Sequence, residues 1–183
     1  MTVLRRLSVL LLALCCCACS TGDAADVPQA TPIPTPQVLE GLRRNEEGIP
    51  LLDVYLHEEE TIRSMDIERY VCGVLAGEMR NDWPLEALKA QAILARTFVL
   101  KFVSEKESRY EGADISTDIT EAQAYNAAEI NERIEQAVAE TCGQVLLTTS
   151  GELPYAWFHA HSGGKTALAR EGLSWNDPEP TYT

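Results

Sequence analysis

Positive charge is the first thing this chain has little of: 15 Lys and Arg stand against 28 Asp and Glu, a formal net charge of −13. So acidic a surface offers no basic stripe for a phosphate backbone, and nucleic acid is excluded as an expected partner. The acids gather at Glu46 and Glu47, at Glu58, Glu59 and Glu60, and along residues 129–140, each cluster reading as a solvated face. Cysteine is scarce where it would bear on folding. Cys15, Cys16, Cys17 and Cys19 crowd the amino terminus, which leaves only Cys72 and Cys142 for the body of the chain. Two cysteines so far apart build neither a dense disulfide framework nor a zinc knuckle. Whether they bridge stays open, since a bridge needs Cα atoms within about 7 Å. Apolar runs of membrane-spanning length are missing as well: the amino-terminal one, residues 7–17, falls short of the about 20 residues that a bilayer requires.

That run follows Arg5 and Arg6 and precedes small residues, the layout of a secretory signal peptide over residues 1–19. Ala18-Cys19-Ser20 resembles the end of a bacterial lipoprotein signal, which makes Cys19 the candidate lipidation site. Cys16 stands where that pattern prefers an aliphatic residue, so an ordinary cysteine-rich leader is the alternative. Residues 20–48, with Pro28, Pro32, Pro34 and Pro36 closely spaced, read as an extended linker, and residues 49–183 as the domain it carries. The expected location is the outer face of the cytoplasmic membrane, after export, with a lipid anchor.

Periodicity places the elements of the domain. Residues 50–56 form an apolar, partly β-branched run, an acidic turn follows, and residues 61–64 complete an expected hairpin. Ile67, Val71, Val74 and Leu75 then fall at helical spacing behind Asp66 as N-cap, which predicts a helix over 67–79. Gly73 and Gly77 lie one turn apart on it. Glycine inside a helix costs about 1 kcal/mol against alanine, so the pair points to close approach of another backbone or of a ligand. Pro84 opens a second helix whose apolar stripe runs through Leu85, Leu88, Ala92, Ala95, Val99 and Phe102, with Lys89 and Arg96 aligned on one face. A third helix is expected over 127–142, stopped by Gly143, with strands over 144–148 and 154–160 about a Ser150-Gly151 turn. The fold class is α+β, helices packed with a mainly antiparallel sheet.

Two stretches carry the chemistry: GVLAGEM over 73–79 and EALKAQAILARTF over 86–98. They resemble the stage II sporulation protein D family (the SpoIID/LytB domain, shared with the amidase enhancers), in which a GVVASEM helix precedes an EALKAQAVAARTY helix. Ala122-Gln123-Ala124-Tyr125 resembles that family's QAY element, and residues 158–166, with Trp175 beyond, resemble its SGG-T turn. The resemblance implies a lytic transglycosylase that cleaves peptide-free peptidoglycan glycan strands to 1,6-anhydro-muramic acid ends in sporulation-linked wall remodelling. It needs no cofactor, and its catalytic acid maps onto Glu78.

Glycoside hydrolysis ordinarily takes two carboxyl groups. A lytic enzyme manages with one, because the sugar's own 6-hydroxyl attacks the anomeric carbon. Glu78 would donate a proton to the glycosidic oxygen and then take one from that hydroxyl, a role that asks for burial beside Gly77 and Met79 and for Arg80 to turn away. The alternative is a solvated glutamate at a helix C-terminus, where the helix dipole disfavours negative charge. A stripped glycan exposes lactyl carboxylates, so a basic contact is expected. Lys89 and Arg96 are the candidates, with structural ion pairs to Glu86, Glu68 or Glu78 as the other reading.

Ser162, Gly163 and Gly164, with His159 beside them, are the remaining substrate-binding candidates. They form a small turn that lets backbone N–H groups approach a sugar, or else only a hairpin corner. His159 and His161 would share one face of a strand, but two ligands do not make a site, so no metal is assigned. Some family members carry a zinc cluster before the QAY element, whereas residues 113–122 here hold neither Cys nor His. Family members also continue past the position of Trp175, so the domain is expected to be incomplete at its C-terminus. The amidase enhancers keep a non-catalytic role open, as binding partner of a cell-wall amidase, and a membrane partner is a further expected contact.

Overall fold

Burial alternates along Leu51–Leu56, with Leu52, Val54 and Leu56 turned inward, and this strand, β1, becomes the floor of the core. The computed structural model describes residues 41–159, 163–173, 176 and 180, all within one unit, Ile33–Thr183. From β1 the chain turns through residues 57–60 into β2, Thr61–Asp66, and the two pair antiparallel from Leu51↔Asp66 to Leu56↔Thr61. On its other side β1 takes up a two-residue parallel strand, β3 (Ile115–Ser116), with Val54 opposite Ile115. The order β2-β1-β3 is a mixed sheet in which the antiparallel pair is the long one.

Two helices pack beside this sheet and a third packs on both of them. The first, α1 (Ile67–Glu78), starts where the Asp66 side chain accepts a hydrogen bond from the Arg69 N–H at 2.8 Å, and it buries Ile67, Tyr70, Val71, Val74 and Leu75. Pro84, with φ −53°, introduces α2 (Leu85–Glu105), which buries Leu88, Ala92, Ala95, Val99, Leu100 and Phe102. The third, α3 (Glu132–Glu140), is capped by Asn131, whose side chain accepts from the N–H groups of Arg133 and Ile134. A four-residue helix, α4 (Ala169–Gly172), lies further along. Among the described residues no helix is long and apolar enough to cross a membrane.

The third helix is shorter than its periodicity suggests. Residues Ala127–Glu129 form a 3₁₀ turn, Ile130 is extended, and α3 begins only at Glu132. Asn126 and Asn131 each bond nearby backbone N–H groups through their side chains, which starts two short helices in place of one long one. The strands expected over 144–148 and 154–160 do not form among the described residues. The reason lies in where the backbone bonds go: the Leu146 N–H donates to Thr97 Oγ1 at 2.9 Å and the Gln144 carbonyl accepts from Arg96, so α2 takes the partners that a neighbouring strand would need. The turn between those segments is present, closed by the Thr148 N–H donating to the Glu152 carbonyl at 2.8 Å. Cys72 is buried, Cys142 is exposed, and both are free thiols.

Candidate active site at the end of the first helix

The glycine pair on α1 meets a second backbone. A methyl group at Gly77 would stand 2.7 Å from the Ala124 carbonyl carbon and from the Tyr125 nitrogen, and one at Gly73 would enter the Tyr125 ring. The Asn126 N–H donates to the Gly73 carbonyl at 2.9 Å. Tyr125 also stacks on the buried Tyr70, ring centroids 5.7 Å apart, and burial pushes both phenols up from their ordinary pKa. Residues 123–126 are thereby laid along the helix, and the consequence falls on its last residue: the Ala124 N–H donates to Glu78 Oε1 at 2.8 Å.

Glu78 and Met79 are half-buried and Gly77 is exposed, so the burial expected beside Gly77 and Met79 is partial. The helix ends here, with Met79 extended as its C-cap. Among the described residues, Ala124 is its one hydrogen-bond partner and no cation pairs with it. Arg80 has turned away, gripping Asp82 through Nε at 3.1 Å and an Nη at 2.8 Å. Oε1 is fixed and Oε2 has no hydrogen-bond partner among the described residues, an arrangement in which a carboxyl can give and take a proton at one oxygen without losing its position.

Arg96 and Lys89 follow the ion-pair reading rather than the ligand one. Arg96 is 1% exposed and binds Glu68 in a fork, 2.9 Å from Nε and 2.5 Å from Nη2, while Nη1 donates to the Gln144 carbonyl. A guanidinium buried and occupied in this way has no face for a substrate, which corrects its expected role. Lys89 bridges Glu140 at 2.5 Å and Glu86 at 2.8 Å, and those two carboxylates, Glu140 first, raise its pKa.

His159 lies elsewhere. It is exposed and borders a cavity of about 810 Å³ whose walls include Leu94, Leu146, Tyr155, Trp157 and Lys165, and Glu78 is not among the lining residues. Gly163 and Gly164 adopt φ of 61° and 98° in an exposed turn. The structure therefore separates Glu78 from the His159 groove instead of joining them in one described cavity. Cys19, His161, Ser162 and Trp175 lie outside the described residues. No group of three or more His, Cys, Asp or Glu among the described residues is placed to hold a metal ion. One contributor was missed in the sequence: the Ala124 N–H, in a segment matched there only as the QAY element. The glycine spacing pointed to a backbone partner without saying which.

An α+β domain whose first helix ends in a glutamate held by a crossing Gln-Ala-Tyr segment is thus the class that fold and site define. The sequence profile described as Stage II sporulation protein (SpoIID) matches residues 55–147, and the chain belongs to that family. Similar curated relatives include an uncharacterized protein of Brachyspira hyodysenteriae, 38% identical over 109 residues, which cover 59% of this chain and 29% of the relative. The Stage II sporulation protein D of Bacillus subtilis is 29% identical over 143 residues, 71% of this chain and 41% of the relative. The Amidase enhancer of Bacillus subtilis is 33% identical over 106 residues, 58% of this chain and 14% of the relative. The chain spans less than half the length of each of these relatives.

Proposed function

We propose that this domain cleaves the glycan strands of bacterial peptidoglycan from which the stem peptides have been removed, as a lytic transglycosylase with Glu78 as its one acid and base. The observation that carries the reading is the Glu78 carboxylate itself, one oxygen fixed by the Ala124 N–H, the other without a hydrogen-bond partner, and no cation paired to either among the described residues. Protonated Glu78 gives its proton to the glycosidic oxygen as the bond to the anomeric carbon breaks. The 6-hydroxyl of the same sugar closes on that carbon, its proton returns to the carboxylate, and the product ends in a 1,6-anhydro ring. No water and no second carboxylate are consumed. Membership of the sporulation family supports a wall polymer as substrate, in sporulation-linked remodelling, and an exported chain anchored through Cys19 would stand on the side of the membrane where that polymer lies.

Digestion of peptide-free strands with the chain and with Glu78→Gln tests the reading: anhydro-ended products from the first and none from the second are expected. The similarity to an amidase enhancer favours a second reading, in which the domain recruits or stimulates a cell-wall amidase. Products from neither protein, together with faster release of stem peptides when a wall amidase is supplied, would select it.

A further inference from the structure

Gln123 is the buried group that the account of Glu78 leaves unused. It is 4% exposed, and neither its Oε1 nor its Nε2 has a hydrogen-bond partner among the described residues. Such orphaned amides are rare in folded proteins, and each asks for a reason. Its position follows from α1. Asn126 is bonded at Gly73 and Ala124 lies over Gly77, so the segment runs antiparallel to the helix and carries Gln123 towards the helix C-terminus, next to the N–H that holds Glu78. Asn81, three residues past Glu78, adds a buried Oδ1 that is likewise without a partner.

Resting on the glycan reading above, we propose that Gln123 is a specificity-determining residue that reads the 2-acetamido group of the sugar bound at Glu78, Nε2 donating to the acetyl oxygen. A side-chain amide N–H offers the donor that an acetyl oxygen accepts from. A ring hydroxyl is too short to reach a side chain lying beneath the surface, whereas the acetamido arm extends from the ring. A site built to pair a buried polar group also rejects a ligand that lacks the partner, since the protein group is then left unpaired.

Calorimetric titration with tetra-N-acetylchitotetraose and with cellotetraose, which carries hydroxyls where the first has acetamido groups, tests this on the full chain and on Gln123→Met. The full chain should prefer the N-acetylated sugar by roughly tenfold or more, and Gln123→Met should lose about tenfold of that affinity while holding cellotetraose as before. Its thermal midpoint should not fall, because two unpaired polar atoms have been removed. If that variant does not fold, Gln123→Glu, which keeps an acceptor and loses the donor, is read in the same way. Equal loss for both sugars, loss for neither, or no preference in the full chain overturns the proposal. Cleavage is scored separately: a chain that shows the Gln123-dependent preference yet releases no anhydro ends leaves this inference standing and removes the catalytic one.

Discussion

Two glutamates on one helix, ten residues apart, have been put to opposite uses. Glu68, in the first turn of α1, receives the Arg96 fork and the Gly143 N–H, so its charge is neutralised inside the protein and ties α1 to α2 and to the chain beyond α3. Glu78, at the last residue, receives one N–H and no cation among the described residues, at the helix end where the dipole opposes its charge. The first arrangement spends a carboxylate on stability. The second keeps one available, held in place by a neighbour that costs it no charge.

The largest effect should come from breaking the first arrangement. Arg96→Met leaves Glu68 largely buried without its cation, a loss of about 3–5 kcal/mol, and urea denaturation should show a chain that is unfolded or close to it. Next comes the crossing that places Ala124. Gly77→Ala gains about 1 kcal/mol in helix propensity, but its methyl meets backbone atoms that have little room to give, at a cost of about 1–3 kcal/mol. The clash should win, and cleavage should fall more than stability because the Ala124 N–H is pushed from Glu78.

Asp118 sharpens the contrast with a third carboxylate, whose pKa is drawn down to about 2 by the Thr120 N–H first, then the Thr120 hydroxyl and the Tyr110 hydroxyl. A carboxyl depressed on folding contributes stability that is present above its unfolded value and is lost as pH falls through the folded one. The urea midpoint should therefore decline from about pH 4 down to about pH 2, and the decline should be shallower in Asp118→Asn. The smallest effect concerns the thiols: Cys142 should be labelled in the folded chain, whereas burial, which pushes Cys72 up to about 11, should keep that thiol unlabelled until unfolding, as peptide mapping would show.

Local signals were legible and distant ones were not. Asp66 and Pro84 act within one turn of themselves, so the starts of α1 and α2 could be read directly. The long antiparallel pair was legible for the same reason, since its turn and its alternation lie in one short stretch. β3 was not, because two residues are too few to show alternation. Residues 144–148 have the pattern of a strand but bond to side chains of α2, a partner chosen by packing. Gly73 and Gly77 announced a close approach, while the identity of the approaching segment depended on a chain crossing more than forty residues away. Arg96 could be read as ligand or as ion pair; only the position of Glu68, one helix earlier, decides between them.

A single backbone N–H holds Glu78 among the described residues, so the acid can be removed without unmaking the fold. Glu78→Gln keeps an oxygen for the Ala124 N–H, so its urea midpoint should stay close to that of the parent chain, within about 0.5 kcal/mol. Mass analysis of peptide-free glycan strands incubated with each protein should find sugars ending in a 1,6-anhydro ring with the parent and intact strands with the variant. Equal yields of those ends from both proteins would contradict the account.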